Sequence, residues 1–191
     1  EYLDFPNNQE NEELGTRKVA FGRNLYIEKE DFIEIKPNKK WKRLATNVEV
    51  RLMYAYFIKC HEVIKDENGN IIELLCTYDQ ATKSGSGFND RKPNGNIHYV
   101  EVSTAKPATF RSFESLLIDN TEENKDLDLV ERFNNNSLIE QNGYVEEFLK
   151  DTLPDTHYQF MRNGYFVTDK DSVSGKLVVN KTCGLKSKFK R

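Results

Sequence analysis

Val48–Ile64 reads VEVRLMYAYFIKCHEVI, and its period decides the fold class. Even positions carry Val48, Val50, Leu52, Tyr54, Tyr56, Ile58, Cys60, Glu62 and Ile64. Odd positions carry Glu49, Arg51, Met53, Ala55, Phe57, Lys59, His61 and Val63. One face is apolar almost throughout and the other is mixed, which is the period of two expected of a half-buried strand. Asp66-Glu67-Asn68-Gly69-Asn70 then supplies turn residues before a second apolar run, Ile71–Tyr78, so the pair reads as a hairpin.

The same period recurs outward from this hairpin. Strand-like runs are Lys18–Phe21, Asn24–Ile27, Ile97–Val102, Ala108–Phe113, Ser137–Glu140, Gly143–Val145 and Lys176–Asn180. Only Asp126–Phe133 and Val145–Leu149 have a helical pattern, and both are short. Many short strands separated by turn signals predict an all-β barrel or sandwich with few short helices. Ala81–Asn96, ATKSGSGFNDRKPNGN, is a Gly/Ser/Asn/Pro loop without a pattern, either functional or mobile. The acidic stretch Asp119–Asn136 reads as a connector between two lobes.

Composition bounds the function. The chain has 191 residues, 37% apolar, 12% aromatic and 31% charged, with a formal net charge of −3. That total argues against a uniformly basic nucleic-acid binder, but the charges are segregated. Lys36–Lys65 holds eight Lys or Arg against two acids, and Lys181–Arg191 holds five basic residues and no acid. A local basic patch can steer an anionic partner whatever the overall sign. The three cysteines lie far apart with no CxxC pair, as suits a reducing compartment. No apolar run approaches the ~18 residues of a membrane span. No signal peptide opens the chain, which starts at Glu1 and is read as a cytosolic fragment of a longer protein.

No catalytic constellation emerges. His61 and His98 sit in strand patterns, Cys60 falls on the apolar face, and no zinc spacing, phosphate-binding loop, GxGxxG or GxSxG is present. Catalytic and metal residues are therefore expected to be absent. Two stretches instead suit recognition. Lys36-Pro37-Asn38-Lys39-Lys40-Trp41-Lys42-Arg43-Leu44 packs five basic residues around the only tryptophan. Such a run is either a solvated loop with Trp41 as its core anchor or an RNA-binding element, since bases stack on aromatics and cations neutralise phosphates. Tyr158–Asp169, YQFMRNGYFVTD, reads as a hairpin closed by Asn163-Gly164, whose flanks hold up Gln159 and Arg162 among aromatics. A two-residue type I′ turn there would set Arg162 opposite Tyr165 and Gln159 opposite Thr168. Glutamine and arginine can form several directed hydrogen bonds to a splayed-out base, or merely supply a polar strand face.

Taken in order, these stretches resemble the C-terminal anticodon-binding region of glutaminyl-tRNA synthetases over nearly the whole chain. The matching pieces are ELGTRKVAF (Glu13–Phe21), LYIEKEDF (Leu25–Phe32), WKRLATNVEVRLMYAYFIKC (Trp41–Cys60), DENGNI (Asp66–Ile71), CTYD (Cys76–Asp79), GNIHYV (Gly95–Val100), YQFMRNGYFVTD and NKTCGLK (Asn180–Lys186). The resemblance implies two six-stranded β-barrels with exchanged N-terminal strands. Residues 1–24 would be the shared segment, 25–118 the first barrel, 119–136 the connector and 137–191 the second barrel. It implies a monomeric module that grips the anticodon loop of tRNA(Gln). An upstream catalytic domain would ligate glutamine using ATP and magnesium, and the fragment itself would need no cofactor.

By position, Lys40, Lys42, Arg43 and Arg51 correspond to contacts with anticodon bases and phosphates. Gln159 and Arg162 correspond to the pocket for the central base, a uracil, and Lys186 stands where the family has an arginine. Met53 departs from a second arginine in that pattern and Met161 from an acid. A further pocket arginine would lie upstream of Glu1, leaving the site incomplete. The alternatives are a glutamyl-tRNA synthetase of the β-barrel type and a non-catalytic β-barrel interaction protein, with a small hydrolase more remote.

Overall fold

Val48–Ile64 is two strands rather than one. The computed structural model describes residues 1–118, 124–173 and 175–185. In it the chain reverses at Leu52–Ala55, where the Ala55 amide donates to the Leu52 carbonyl (2.9 Å) and Tyr54 adopts φ 56°. Val50 pairs with Ile58, so even residues face even residues across the reversal. Val50, Leu52, Tyr56, Ile58 and Cys60 therefore all remain buried, and the turn leaves the alternation intact.

The residues divide into two compact units, Glu1–Ala105 and Lys106–Arg191. In the first, β1 (Tyr2–Pro6) and β2 (Thr16–Ala20) form an antiparallel ribbon. The short pieces β3 (Leu25–Tyr26), β4 (Phe32–Ile33) and β5 (Leu44–Ala45) follow. The main sheet combines β6 (Glu49–Leu52), β7 (Phe57–Lys65), β8 (Ile71–Asp79) and β9 (Asn96–Ile97) in the order β8-β7-β6-β9. Finally, β10 (Val100–Glu101) pairs with β3. The β7–β8 turn is the predicted one. Gly69 takes φ 81°, and the Asp66 carboxylate accepts from the Asn68 and Asn70 amides. Leu3, Phe5, Val19 and Phe21 from the ribbon share a core with Val50, Leu52 and Ile97 from the sheet.

The second unit is one five-stranded sheet. Its strands are β11 (Lys106–Phe113), β12 (Leu138–Val145), β13 (His157–Phe160), β14 (Gly164–Thr168) and β15 (Leu177–Cys183). Their order is β12-β11-β15-β14-β13, with β11 and β15 parallel. Phe110, Phe160 and Phe166 meet edge to face at 5.0–5.9 Å against Ala108, Val145 and Val179. Arg111 ties β11 to β12 and to the connection after β14, pairing with Glu140 on β12 and with Asp169 and Asp171 in that connection.

All-β describes this fold; its helices are single 3-10 turns, one of them at Glu147–Leu149 within the expected Val145–Leu149 helix. Residues 126–133 form turns instead of the expected helix, in keeping with the Asn- and Asp-rich sequence around them. Among the described residues no sheet closes into a six-stranded barrel. The two-residue pieces β3, β4, β5, β9 and β10 sustain only local ladders, so the first unit is hydrogen-bonded in patches. Likewise β1 pairs within its own unit. Strand β11, inside the 25–118 span expected for the first lobe, takes its partners from β12 and β15 in the second. Residues 119–123 of the expected connector lie outside the described residues. No helix among the described residues is long and apolar enough to cross a membrane.

Candidate nucleic-acid interface

The basic run 36–43 is an irregular segment leading into β5. Asn38 starts it, accepting the Lys40 amide on its side chain (2.8 Å) and the Trp41 amide on its carbonyl (3.3 Å). That is the local side-chain turn that asparagine favours. Trp41 is half-buried, with its indole N–H donating to the Leu44 carbonyl at 3.2 Å. The Arg43 guanidinium lies 5.6 Å from the indole ring centre, a cation–π distance. The same guanidinium donates to the Glu30 carbonyl (2.8 Å), and its Nε lies 3.3 Å from the wholly buried Asp31 carboxylate. Trp41 thus anchors the segment while Arg43 flanks its ring. Lys39, Lys40 and Lys42 are exposed and make no ion pair among the described residues. Unpaired ammonium groups beside an aromatic–guanidinium stack can neutralise phosphates and offer a platform to a base.

Arg51 is placed differently. Its Nη1 donates to the Ala55 carbonyl (3.1 Å), the Thr82 carbonyl (2.9 Å) and the Ser84 hydroxyl (2.9 Å). Its guanidinium sits 4.2 Å from the Phe57 ring centre. Burial lowers its pKa below the usual arginine value. Arg51 therefore binds the β6–β7 reversal to the residues after β8. Met53, at that reversal, has its sulfur 3.1 Å from His98 Nε2.

The loop 81–96 is largely exposed but tied down at two side chains, Arg91 and Asn94, that its composition does not mark. Arg91 makes a bidentate pair with Glu49 (2.8 and 2.9 Å), bonds Asp79 (2.7 Å) and covers the Phe57 and Phe88 rings. Those bonds raise the Arg91 pKa and hold the Asp79 carboxyl below its ordinary range. Asn94 then donates from one amide nitrogen to two carbonyls of the basic segment, Trp41 (2.9 Å) and Arg43 (3.0 Å), and its side-chain oxygen accepts the Lys36 ammonium. Gly95 lies so close that an added Cβ would stand 1.8 Å from the Lys42 carbonyl oxygen. The only sequence signal was the pair Asn94-Gly95, which looks like an ordinary turn signal.

In the second unit the candidate hairpin is β13–β14. Its register sets Gln159 opposite Tyr165 and Phe160 opposite Gly164, so the loop is Met161-Arg162-Asn163 rather than Asn163-Gly164. The Asn163 amide donates to the Phe160 carbonyl (2.9 Å), and Arg162 takes φ 69°. Non-glycine residues rarely adopt that conformation, and bulky ones do so in turns or at strained sites. The longer loop corrects the predicted I′ turn and shifts Gln159 away from Thr168. Tyr158 and Phe160 pack on the core, whereas His157, Gln159 and Tyr165 are exposed. Gln159 and Tyr165 are therefore a cross-strand pair on the solvent face. The Lys181 ammonium lies 5.9 Å from the Phe166 ring centre. Lys186 lies outside the described residues.

The described residues contain no group of three His, Cys, Asp or Glu suited to a metal ion. Burial pushes the Cys60 thiol up, away from nucleophilic use.

Residues 1–79 match the family of "tRNA synthetases class I (E and Q), anti-codon binding domain", and residues 96–169 match a second model of the same description. Glutamine--tRNA ligases of Clostridium perfringens, Clostridioides difficile and Clostridium kluyveri are 48%, 47% and 46% identical to the chain. Each alignment covers 100% of this chain and 34% of the relative, so the chain spans about a third of the length of these relatives. With both of its halves matched by models of one description, the chain belongs to the anticodon-binding domains of the class I tRNA synthetases of the E and Q type.

Proposed function

We propose that this chain is the anticodon-gripping part of a glutamine–tRNA ligase, and that it takes the unstacked anticodon loop of tRNA(Gln). The observation that carries the reading is the basic segment. Three unpaired lysines flank the Trp41–Arg43 stack on a backbone held in place by Asn94 and Gly95. Glutamine rather than glutamate is favoured by the relatives, which are glutamine--tRNA ligases along the whole of this chain. Lys40 and Lys42 are assigned to phosphates, Arg43 to a base edge, and Gln159 with Arg162 to the central base. Arg51 holds the scaffold behind the segment, and Lys186 adds charge from the tail. The ligation of glutamine, with ATP and magnesium, belongs to the part of the relatives' length that this chain does not span. A cytosolic monomer is the accompanying expectation.

The two units are read as counterparts of the family's two barrels. In support, one family model matches residues 1–79 and a second of the same description matches residues 96–169.

Titrating the full chain with a tRNA(Gln) transcript at rising salt tests the electrostatics. Contact with three or four phosphates of a single-stranded loop predicts a log–log slope of about −2 to −3, at ~0.7 per phosphate. Lys42→Ala is expected to make the slope shallower by ~0.7 and to weaken all anticodon variants alike. Affinity independent of salt would contradict the assignment.

A further inference from the structure

The geometry points to Asn94 as a positioning residue for RNA binding, an inference that rests on the proposed reading of the basic segment. Residues 36–43 lack regular secondary structure, so nothing periodic fixes the carbonyls on either side of Lys42. Asn94 does so from a single side chain. Both donor hydrogens of its amide are used, one on the Trp41 carbonyl at 2.9 Å and one on the Arg43 carbonyl at 3.0 Å. Its oxygen receives Lys36, and its backbone N–H donates to the Glu49 carbonyl on β6 at 2.8 Å. Three residues earlier, Arg91 is held by Glu49 and Asp79 and by the Phe57 and Phe88 rings. The main sheet is thereby connected, through Arg91 and Asn94, to the backbone that carries Trp41, Lys42 and Arg43.

The physical consequence concerns entropy. An exposed lysine-rich loop that is free to move must be ordered when it binds, and each immobilised residue costs affinity. Bidentate donation from Asn94 orders this backbone beforehand, with the Trp41 ring and Arg43 already juxtaposed. Asn94 touches no RNA in this account; it fixes the residues that do.

Trp41 is the only tryptophan, so its fluorescence reports on the segment alone. Asn94→Ala removes both donors without adding charge. Asn94→Asp is isosteric and keeps the acceptor for Lys36 but cannot donate to the two carbonyls. Both variants of the full chain are expected to melt cooperatively and to show greater acrylamide quenching of Trp41. Asn94→Ala should bind tRNA(Gln) about tenfold more weakly, equivalent to ~1.4 kcal/mol, with the salt slope unchanged because every lysine is retained. Quenching that stays at the wild-type level would overturn the role, whatever the affinity does. Loss of cooperative melting in both variants would also overturn it, by making Asn94 a determinant of the whole unit. Wild-type protein that binds no tRNA contradicts the functional reading instead, while the quenching still decides whether Asn94 orders the segment.

Discussion

Gly95→Ala is expected to destabilise the first unit by about 3 kcal/mol or more, at or above the upper end for an overpacked site. The new Cβ would stand 1.8 Å from the Lys42 carbonyl oxygen, 2.7 Å from its carbonyl carbon and 3.1 Å from its Cβ. The two nearest atoms are backbone, so no rotamer change relieves the clash. Nor can either side withdraw easily. Gly95 is held from behind by the Arg51 amide, which donates to its carbonyl at 2.9 Å, and Lys42 lies between two carbonyls that Asn94 binds. The cheapest response is to expel the basic segment, which breaks the Asn94 bonds and exposes Trp41. Chemical denaturation followed by Trp41 fluorescence measures the effect. Gly69→Ala is the contrast, because Gly69 has open space around it and pays only for φ 81°, roughly 1–2 kcal/mol. A loss below that of Gly69→Ala would mean that the close approach of Gly95 to Lys42 does not constrain the fold.

Arg51→Met is expected to cost about 3 kcal/mol, as befits a charged donor serving several acceptors in a partly buried site. Methionine can lie along the Phe57 ring, but it leaves the Ala55 and Thr82 carbonyls and the Ser84 hydroxyl without their shared donor. Arg51→Lys should recover little, because an ammonium on a flexible stem does not reproduce the planar fork. By contrast, Lys42→Ala should change stability by less than about 0.5 kcal/mol, since its ammonium is exposed and unpaired. Thermal melts and tRNA titrations on the same samples separate the two kinds of basic residue. Arg51→Met is expected to lower the melting temperature and binding together, and Lys42→Ala to lower binding alone. An Arg51→Met protein that melts like the wild type but no longer binds tRNA would make Arg51 a direct contact.

The all-β class was legible because the parity of buried residues survives the reversal at Tyr54. For the same reason the reversal was invisible. Tyr54 and Met53 carry no glycine, proline or asparagine signal, and an even-to-even register leaves the period of two unbroken. The β13–β14 loop misled in the opposite direction. Asn163-Gly164 signals a two-residue turn, yet the left-handed position is filled by Arg162, which lengthens the loop by one residue. Among the site residues, the exposure of Lys40 and Lys42 follows from a polar, proline-containing run. The inward commitment of Arg51 does not, because its acceptors come from residues 55, 82 and 84, beyond any local pattern. Arg91 and Asn94 were hidden in the same way, inside a loop whose composition resembles that of a mobile one. Their partners Glu49, Trp41 and Arg43 are more than 40 residues away in sequence.

In the proposed reading of the anticodon loop of glutamine tRNA, Gln159 serves the central base from the solvent face of β13. The most direct test is the affinity of the full chain for two anticodon stem-loops that differ only at that base, uracil or cytosine, measured for wild type and Gln159→Ala. The wild type is expected to prefer uracil by about tenfold, ~1.4 kcal/mol, within the range of one directed base contact. Gln159→Ala should bind both stem-loops at the weaker level. Equal binding of the two stem-loops by the wild type, or an undiminished preference in Gln159→Ala, would contradict the account.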